Sequence, residues 1–538
     1  MFKLKNVLTA LALCLMCFPL IFLTSCGNSG NKLTYEPQTS VYDDRASLSM
    51  HKEMISAPAY KDIESITPHN TEEYDKINEN EFKDAKSNPL STFSIDVDTA
   101  SYSNVRRFIN TNQVPYKDAV RIEEMINYFK YDYPQPKGEH PFTVNTELSF
   151  APWNKANKLL LIGIQGKSLN YNDLKPSNFV FLIDTSGSMD SSDKLPLLKK
   201  SLSLMLKSLK NTDKVSIVAY AGSAGVVLPS TSADNQEQIL KAFDKLSAGG
   251  STAGGEGIVL AYKIAKENLI KDGNNRVILC TDGDFNVGVS STSEMVRLIE
   301  EKRKDDIYLT ICGFGMGNYK DGRMEQISNA GNGNYFYIDN IKEAEKVFVK
   351  ELRANMFTIA KDVKIQIEFN PTKVKSYRLI GYENRLLAKE DFKDDTKDAG
   401  ELGAGHTVTA LYEIVPVGTG KDENSDDLKY QETKIKKDAA KSNEIAMLKL
   451  RYKPIKEDKS KLIEQALVDN NVEFQKASEN LRFASAVAGF GMLLRDSKFK
   501  NDLTAKDVIN IAKASKKFDE EGYRAEFITL VEKYALLK

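Results

Sequence analysis

Three short runs in this 538-residue chain put oxygen-bearing side chains directly after or beside strand-like apolar segments. The first is Phe179-Val180-Phe181-Leu182-Ile183, followed by Asp184-Thr185-Ser186-Gly187-Ser188. An Asp-x-Ser-x-Ser loop lets one carboxylate and two hydroxyls converge. The second, Gly249-Gly250-Ser251-Thr252-Ala253-Gly254-Gly255, is a glycine-rich loop ahead of a helical pattern and offers a third hydroxyl from Ser251 or Thr252. The third, Val277-Ile278-Leu279-Cys280-Thr281-Asp282-Gly283, ends an apolar strand in an Asp on a turn. Carboxylate and hydroxyl oxygens are hard donors, suited to Mg²⁺, with Mn²⁺ or Ca²⁺ as alternatives. A single Asp-x-Ser-x-Ser is a common loop sequence. Three such pieces on one sheet edge form a specific combination.

The elements that must position them follow from the hydrophobic pattern. From Ser177 short apolar runs (179–183, 215–219, 277–280, 307–311, 335–338) alternate with amphipathic helical stretches, such as the stripe Leu195, Leu198, Leu202, Met205 and Leu209. This alternation predicts an α/β unit with a doubly wound, mostly parallel sheet covered on both faces. Val226–Leu228 follows too closely on Ala219 for a crossover, so an antiparallel edge strand is expected there. In such sheets ligands bind beyond the carboxyl ends of the strands, near a topological switch point, where all three runs fall.

Around this unit, placed at 174–355, the chain divides into 1–25, a leader; 26–90, a polar tether; 91–173, an α+β region; 356–460, a β-rich region; and 461–538, a helical region. Strands at 142–164 and 363–452 flank the α/β unit on both sides. They suggest one β-sandwich into which the unit is inserted, with connections near Lys175 and Asn355.

The leader has Lys3 and Lys5, then an uncharged stretch from Val7 to Phe22 that is short for a membrane span, then Leu23-Thr24-Ser25-Cys26. This resembles the lipobox of bacterial lipoproteins, which implies cleavage before Cys26, acylation of its thiol and an extracytoplasmic location at the membrane. Cys280 and Cys312 lie in strand-like runs and are expected as buried thiols rather than a disulfide.

Other chemistries find little support. Lys plus Arg (74) balances Asp plus Glu (75), so no net basic charge favours nucleic acid. Four scattered His and five Cys disfavour a Cys/His zinc centre. No His lies between 174 and 355 to activate Ser186 or Ser188 as a nucleophile. The glycine-rich loop lacks the Gly-Lys-Ser/Thr ending of a phosphate loop, and Gly313-Phe314-Gly315-Met316-Gly317 has its third Gly displaced from a dinucleotide fingerprint, so neither implies a nucleotide. Asp96-Val97-Asp98 resembles the nucleophile motif of haloacid-dehalogenase phosphatases, but Ala100 replaces its Thr or Val; a structural turn is expected. Asp190, Glu256, Asp284 and Asn286 read as solvated loop residues and Trp153 as packing beside a turn.

The combined motifs resemble the von Willebrand factor type A (vWA) domain with its metal-ion-dependent adhesion site. Together with Phe93-Ser-Ile-Asp-Val-Asp-Thr-Ala-Ser-Tyr102, they resemble bacterial lipoproteins of the YfbK kind over roughly 91–538. The resemblance implies Asp184, Ser186, Ser188, Thr252 and Asp282 as the adhesion-site residues. Thr252 is preferred to Ser251 because Gly255, Gly257 and Ile258 then fall where the family has Gly, Gly and an aliphatic residue. It also implies a non-enzymatic function: a protein partner offers an acidic side chain to the bound cation. A metal-dependent hydrolase using the same cation is the alternative, and it lacks an evident general base.

Overall fold

The computed structural model describes residues 71–538 apart from 96–97, 251–253, 284–291 and 420–433. Cys26, the leader and the tether as far as residue 70 lie outside the described residues, as do Thr252, Asp284 and Asn286.

The chain enters through two short strands, β1 (Lys83–Asp84) and β2 (Leu90–Ser94), followed by helices α1 (Ala100–Asn110) and α2 (Ile122–Asn127). A long hairpin comes next, β3 (Phe142–Ala151) and β4 (Asn154–Gly166). The α/β unit then runs through β5 (Ser177–Asp184), α3 (Leu195–Leu206), β6 (Lys214–Tyr220), β7 (Ala224–Ser232), α4 (Gln236–Lys245), α5 (Gly254–Glu267), β8 (Asn274–Thr281), α6 (Thr292–Lys302), β9 (Ile307–Phe314), α7 (Asp321–Ala330), β10 (Tyr335–Ile338) and α8 (Ile341–Glu345). Six more strands follow: β11 (Thr358–Phe369), β12 (Val374–Ile380), β13 (Gly400–Gly403), β14 (Thr407–Pro416), β15 (Glu444–Pro454) and β16 (Lys461–Val468). Helices Glu479–Arg495, Ala505–Lys513 and Tyr523–Leu537 close the chain.

The central sheet has the order β10-β9-β8-β5-β6-β7 and is parallel except for β7, which pairs antiparallel with β6 as its spacing requires. β5 explains its own apolar run. Phe179, Phe181 and Ile183 enter the core under α3 and α4, while Val180 and Leu182 enter the core under α5, so both faces of the strand are buried. From β5 the chain first winds to β6 and β7 on one side, then crosses to β8 on the other. The switch point therefore lies between the carboxyl ends of β5 and β8, which carry Asp184 and Asp282.

The flanking strands build one sandwich from both sides of the inserted unit. β4 pairs with β14 along Lys158–Gln165, so a strand from before the unit and one from after it are neighbours in the sheet β1-β12-β14-β4-β3. The facing sheet contains β13-β11-β15-β16, with β2 also paired to β11, and one core joins the two sheets. Alternate residues of β4 divide between layers: Leu160, Ile162 and Ile164 face that core, and Leu159 and Leu161 face α1, α2 and the C-terminal helices.

Two expectations need correction. Lys461–Val468 is an edge strand paired with β15, not the start of the helical region. Its apolar residues Leu462, Ile463, Ala466 and Leu467 mimic helical spacing, but pairing with the exposed edge of β15 decides the conformation. The polar stretch read as tether to residue 90 is laid onto the folded body from Thr71. The Thr71 N–H donates to the Gly317 carbonyl at 2.7 Å, Glu72 pairs with Arg107 at 2.7 Å, and Lys83–Asp84 adds to β12. Backbone hydrogen bonds and ion pairs hold this segment, and hydropathy carries no signal for either. Among the described residues, no helix is long and apolar enough to cross a membrane.

Candidate functional site

Asp184 is the last residue of β5 and is fully buried. Its Oδ1 accepts the backbone N–H of Ser186 at 2.9 Å, the short-range contact that curls the loop. Its Oδ2 accepts the hydroxyls of Tyr220 at 3.2 Å and Thr281 at 3.1 Å. Those two residues end β6 and β8, so both strands flanking β5 grip the same carboxylate. The Ser186 and Ser188 hydroxyls lie 3.0 Å apart, with Ser186 buried and Ser188 exposed at the rim.

Burial holds the Asp184 carboxyl above the ordinary carboxylate range. The nearby Asp282 charge pushes it the same way, while the bonds from Ser186 and Thr281 oppose the shift. Burial likewise raises the Tyr220 phenol far above its usual range, and the Asp184 charge adds to this; it stays a protonated donor. Among the described residues, no ammonium or guanidinium lies within ion-pair distance of Asp184. Its described partners are neutral donors.

Asp282 is also buried and accepts a hydrogen bond from Lys194 Nζ at 2.8 Å. Its turn is set by Gly283, whose φ of +104° is accessible to glycine. A Cβ there would lie 2.7 Å from the Tyr319 Cα, so the loop after β9 packs directly on the turn. The glycine-rich loop is tied to the first loop by backbone bonds: Gly249 N–H to the Thr185 carbonyl at 2.8 Å, and Gly187 N–H to the Gly250 carbonyl at 3.1 Å. α5 begins at Gly254, close behind this stitch.

The fold thus brings Asp184, Ser186 and Ser188 together. It sets Asp282 next to Thr281, which bonds to Asp184, and ties the glycine-rich loop that carries Thr252 to the Asp-x-Ser-x-Ser loop; Thr252 itself lies outside the described residues. Asp190 and Glu256 are exposed, as expected of loop residues. Gly313 and Phe314 end β9, and the loop beyond them packs on the Asp282 turn at Asn318, Tyr319 and Lys320. Asp98 is structural: it accepts the Tyr335 N–H at 2.8 Å and meets Arg385 at 3.1 Å. Trp153 packs in the helical core, and Cys280 and Cys312 are buried free thiols on paired strands. Sequence reasoning missed Tyr220, Thr281 and Lys194. Tyr220 and Thr281 each end a recognisable strand, a usable signal; Lys194 meets Asp282 only across 88 residues of chain.

An oxygen-donor cation fits this donor set. A buried carboxylate served by neutral donors, two hydroxyls and a second carboxylate supply hard ligands. Among the described residues, no three His, Cys, Asp or Glu side chains cluster as metal ligands, so such a site depends on the hydroxyls.

A doubly wound sheet with this loop constellation defines a vWA domain, and the profile "von Willebrand factor type A domain" matches residues 178–350. The profiles "von Willebrand factor" and "Uncharacterized protein YfbK, C-terminal" match residues 68–161 and 354–537. The "Uncharacterized protein YfbK" of Escherichia coli (strain K12) is 43% identical over 469 residues, covering 86% of this chain and 81% of the relative. The chain belongs to the YfbK family. The "Magnesium-chelatase 67 kDa subunit" of Chlorobaculum tepidum is 25% identical over 234 residues, 38% of this chain and 37% of that protein. The solved structure "von Willebrand factor type A from Catenulispora acidiphila" is 14% identical, with a TM-score of 0.42, covering 75% of this chain and 92% of that one. A domain of this type supports a protein-interaction role in general.

Proposed function

We propose that the chain is an envelope lipoprotein, anchored through lipid on Cys26, whose vWA domain recognises a protein partner through a divalent cation. Asp184, Ser186, Ser188, Thr252 and Asp282 would hold the cation, Mg²⁺ or Mn²⁺ in preference to softer metals. When bound, the ion supplies a positive, electrophilic position that an acidic side chain of the partner can ligate. The residues of this chain do the positioning. Tyr220 and Thr281 fix the Asp184 carboxylate, the Ser186 N–H orients it, and Gly283 aims the Asp282 turn at the same edge.

The observation that carries the reading is the fully buried Asp184 carboxylate, served among the described residues by neutral donors and adjoined by two serine hydroxyls. An anion buried without a counter-ion is costly, and a resident cation removes that cost. No His lies between 174 and 355 to act as general base for a hydrolase, which favours binding over catalysis.

Isothermal titration of Mn²⁺ into the full chain and into Asp184→Ala tests the site. The expected outcome is saturable binding by the wild type and at least a hundredfold weaker binding by the variant, about 2.7 kcal/mol. Equal binding by both rejects the site. Pull-down from membranes with and without chelator then tests whether partner capture requires the cation.

A further inference from the structure

We infer that Lys194 is a tethered cation built into the proposed metal edge, and that it weakens metal binding while making the loaded edge selective for an anionic partner. The inference rests on the metal reading above and deepens it.

Lys194 caps the start of α3, yet its side chain does not reach into water as a surface lysine ordinarily does. The side chain is 8% exposed and its Nζ lies 2.8 Å from Asp282 Oδ2. A slot holds it there. Its stem crosses the loop after β9 at Gly315, where a Cβ would stand 2.3 Å from both Cγ and Cε of the lysine. Gly315 has a φ of +72°, and its carbonyl accepts the Tyr337 hydroxyl at 2.7 Å, which pins the loop in the shape that leaves the slot open. Residues from α3, the β8 turn and the β9 loop therefore cooperate to place one positive charge against one of the two site carboxylates.

The electrostatic consequence follows from formal charge. Counting these three buried side chains of the described residues, Asp184 and Asp282 carry two negative charges and Lys194 one positive, a net single negative charge. A divalent cation turns that sum to a net single positive charge. The lysine and the metal both draw on Asp282 and repel each other at short range, so the metal is held less tightly than two carboxylates alone would hold it. The loaded edge is then cationic, and an outside carboxylate completes its neutrality. Without Lys194 the loaded edge would already be neutral and would attract an anion less strongly. Metal and partner carboxylate thus favour each other's binding.

The test is Mn²⁺ titration of the full chain with and without acetate as the probe carboxylate, in wild type, Lys194→Met and Gly315→Ala. Gly315→Ala closes the slot without removing the lysine, so it reaches the same end by a different route. Circular dichroism melting checks that each variant is folded. In the absence of acetate, Lys194→Met is expected to bind Mn²⁺ about tenfold tighter than wild type or more. Acetate is expected to tighten Mn²⁺ binding to wild type several-fold and to have a much smaller effect on Lys194→Met, with Gly315→Ala shifted in the same directions. A Lys194→Met protein with wild-type or weaker Mn²⁺ affinity, or with an undiminished acetate response, overturns the inference and leaves the metal edge standing. Failure of wild type and both variants to bind Mn²⁺ overturns the metal reading, and the inference with it.

Discussion

Two clusters of buried charge in this molecule differ in how they are balanced. In the first, Arg106 of α1 donates to Asp339 at 2.8 Å, to Glu343 at 2.7 Å and to the Tyr128 hydroxyl at 2.9 Å, with Glu526 of the last helix at 3.4 Å. Its guanidinium is enclosed by oxygen acceptors from the α/β unit and the helical layer, and it fastens the two together. In the second, Asp184 and Asp282 lie at the carboxyl edge of the sheet, where Lys194 pairs with Asp282 and only neutral donors reach Asp184 among the described residues. Where each of these carboxylates touches the same guanidinium, the cluster acts as a fastening. A cluster in which one carboxylate meets only neutral donors among the described residues is suited to take up a cation.

The largest effect should come from breaking the closed cluster. Arg106→Met strands the Asp339 and Glu343 carboxylates in the interior and is expected to destabilise the protein by about 3–5 kcal/mol in urea unfolding. A loss below about 1 kcal/mol would mean that the network is not a fastening, and the contrast with the metal edge would fail.

A smaller effect is expected at the seam beside Asp282. Gly283→Ala puts a Cβ into the Tyr319 backbone at a left-handed φ, and the expected cost is about 1–3 kcal/mol by thermal melting. Weaker Mn²⁺ binding should accompany it as the Asp282 turn shifts. Unchanged metal binding in a destabilised variant would separate the turn from the site.

The smallest effect sharpens the electrostatic half of the comparison. Burial holds the Asp184 carboxyl above its ordinary range, so ionising it costs stability that the unfolded chain does not forfeit. Below the unfolded value the group is protonated in both states and the cost is nil; the cost grows as pH rises through the window between the unfolded and folded values. In chelator, Asp184→Asn should therefore gain on wild type as pH rises above the unfolded carboxylate value of about 4, the gain levelling off once pH passes the folded value. A pH-independent difference between the two would show that Asp184 carries no such penalty.

Much of this was legible in the sequence because it is local. Strand–helix alternation gave away the parallel sheet, the close spacing of Val226–Leu228 gave its antiparallel edge, and Asp-x-Ser-x-Ser named the first loop. The strand groups at 142–164 and 363–452 pointed to a sandwich spanning the insertion, and β4 pairing with β14 is that arrangement. What was illegible had no local signature. The pattern of β16 misleads because an exposed edge strand need not alternate cleanly: Leu462 is 48% exposed and Val468 40%. The segment from Thr71 has no signature because ion pairs such as Glu72–Arg107 join residues that no periodicity connects.

By itself, then, the sequence determined which oxygen atoms could meet within one loop and which strands would carry them to a common edge, since both depend on spacing along a few residues. Only the tertiary structure decided how the charges at that edge are balanced. Lys194 reaches Asp282 across 88 residues and through a slot that exists because Gly315 has no side chain, and Tyr220 and Thr281 meet on Asp184 because β6 and β8 flank β5. Charge balance depends on distances in space, and these are fixed only when the chain closes its long-range contacts.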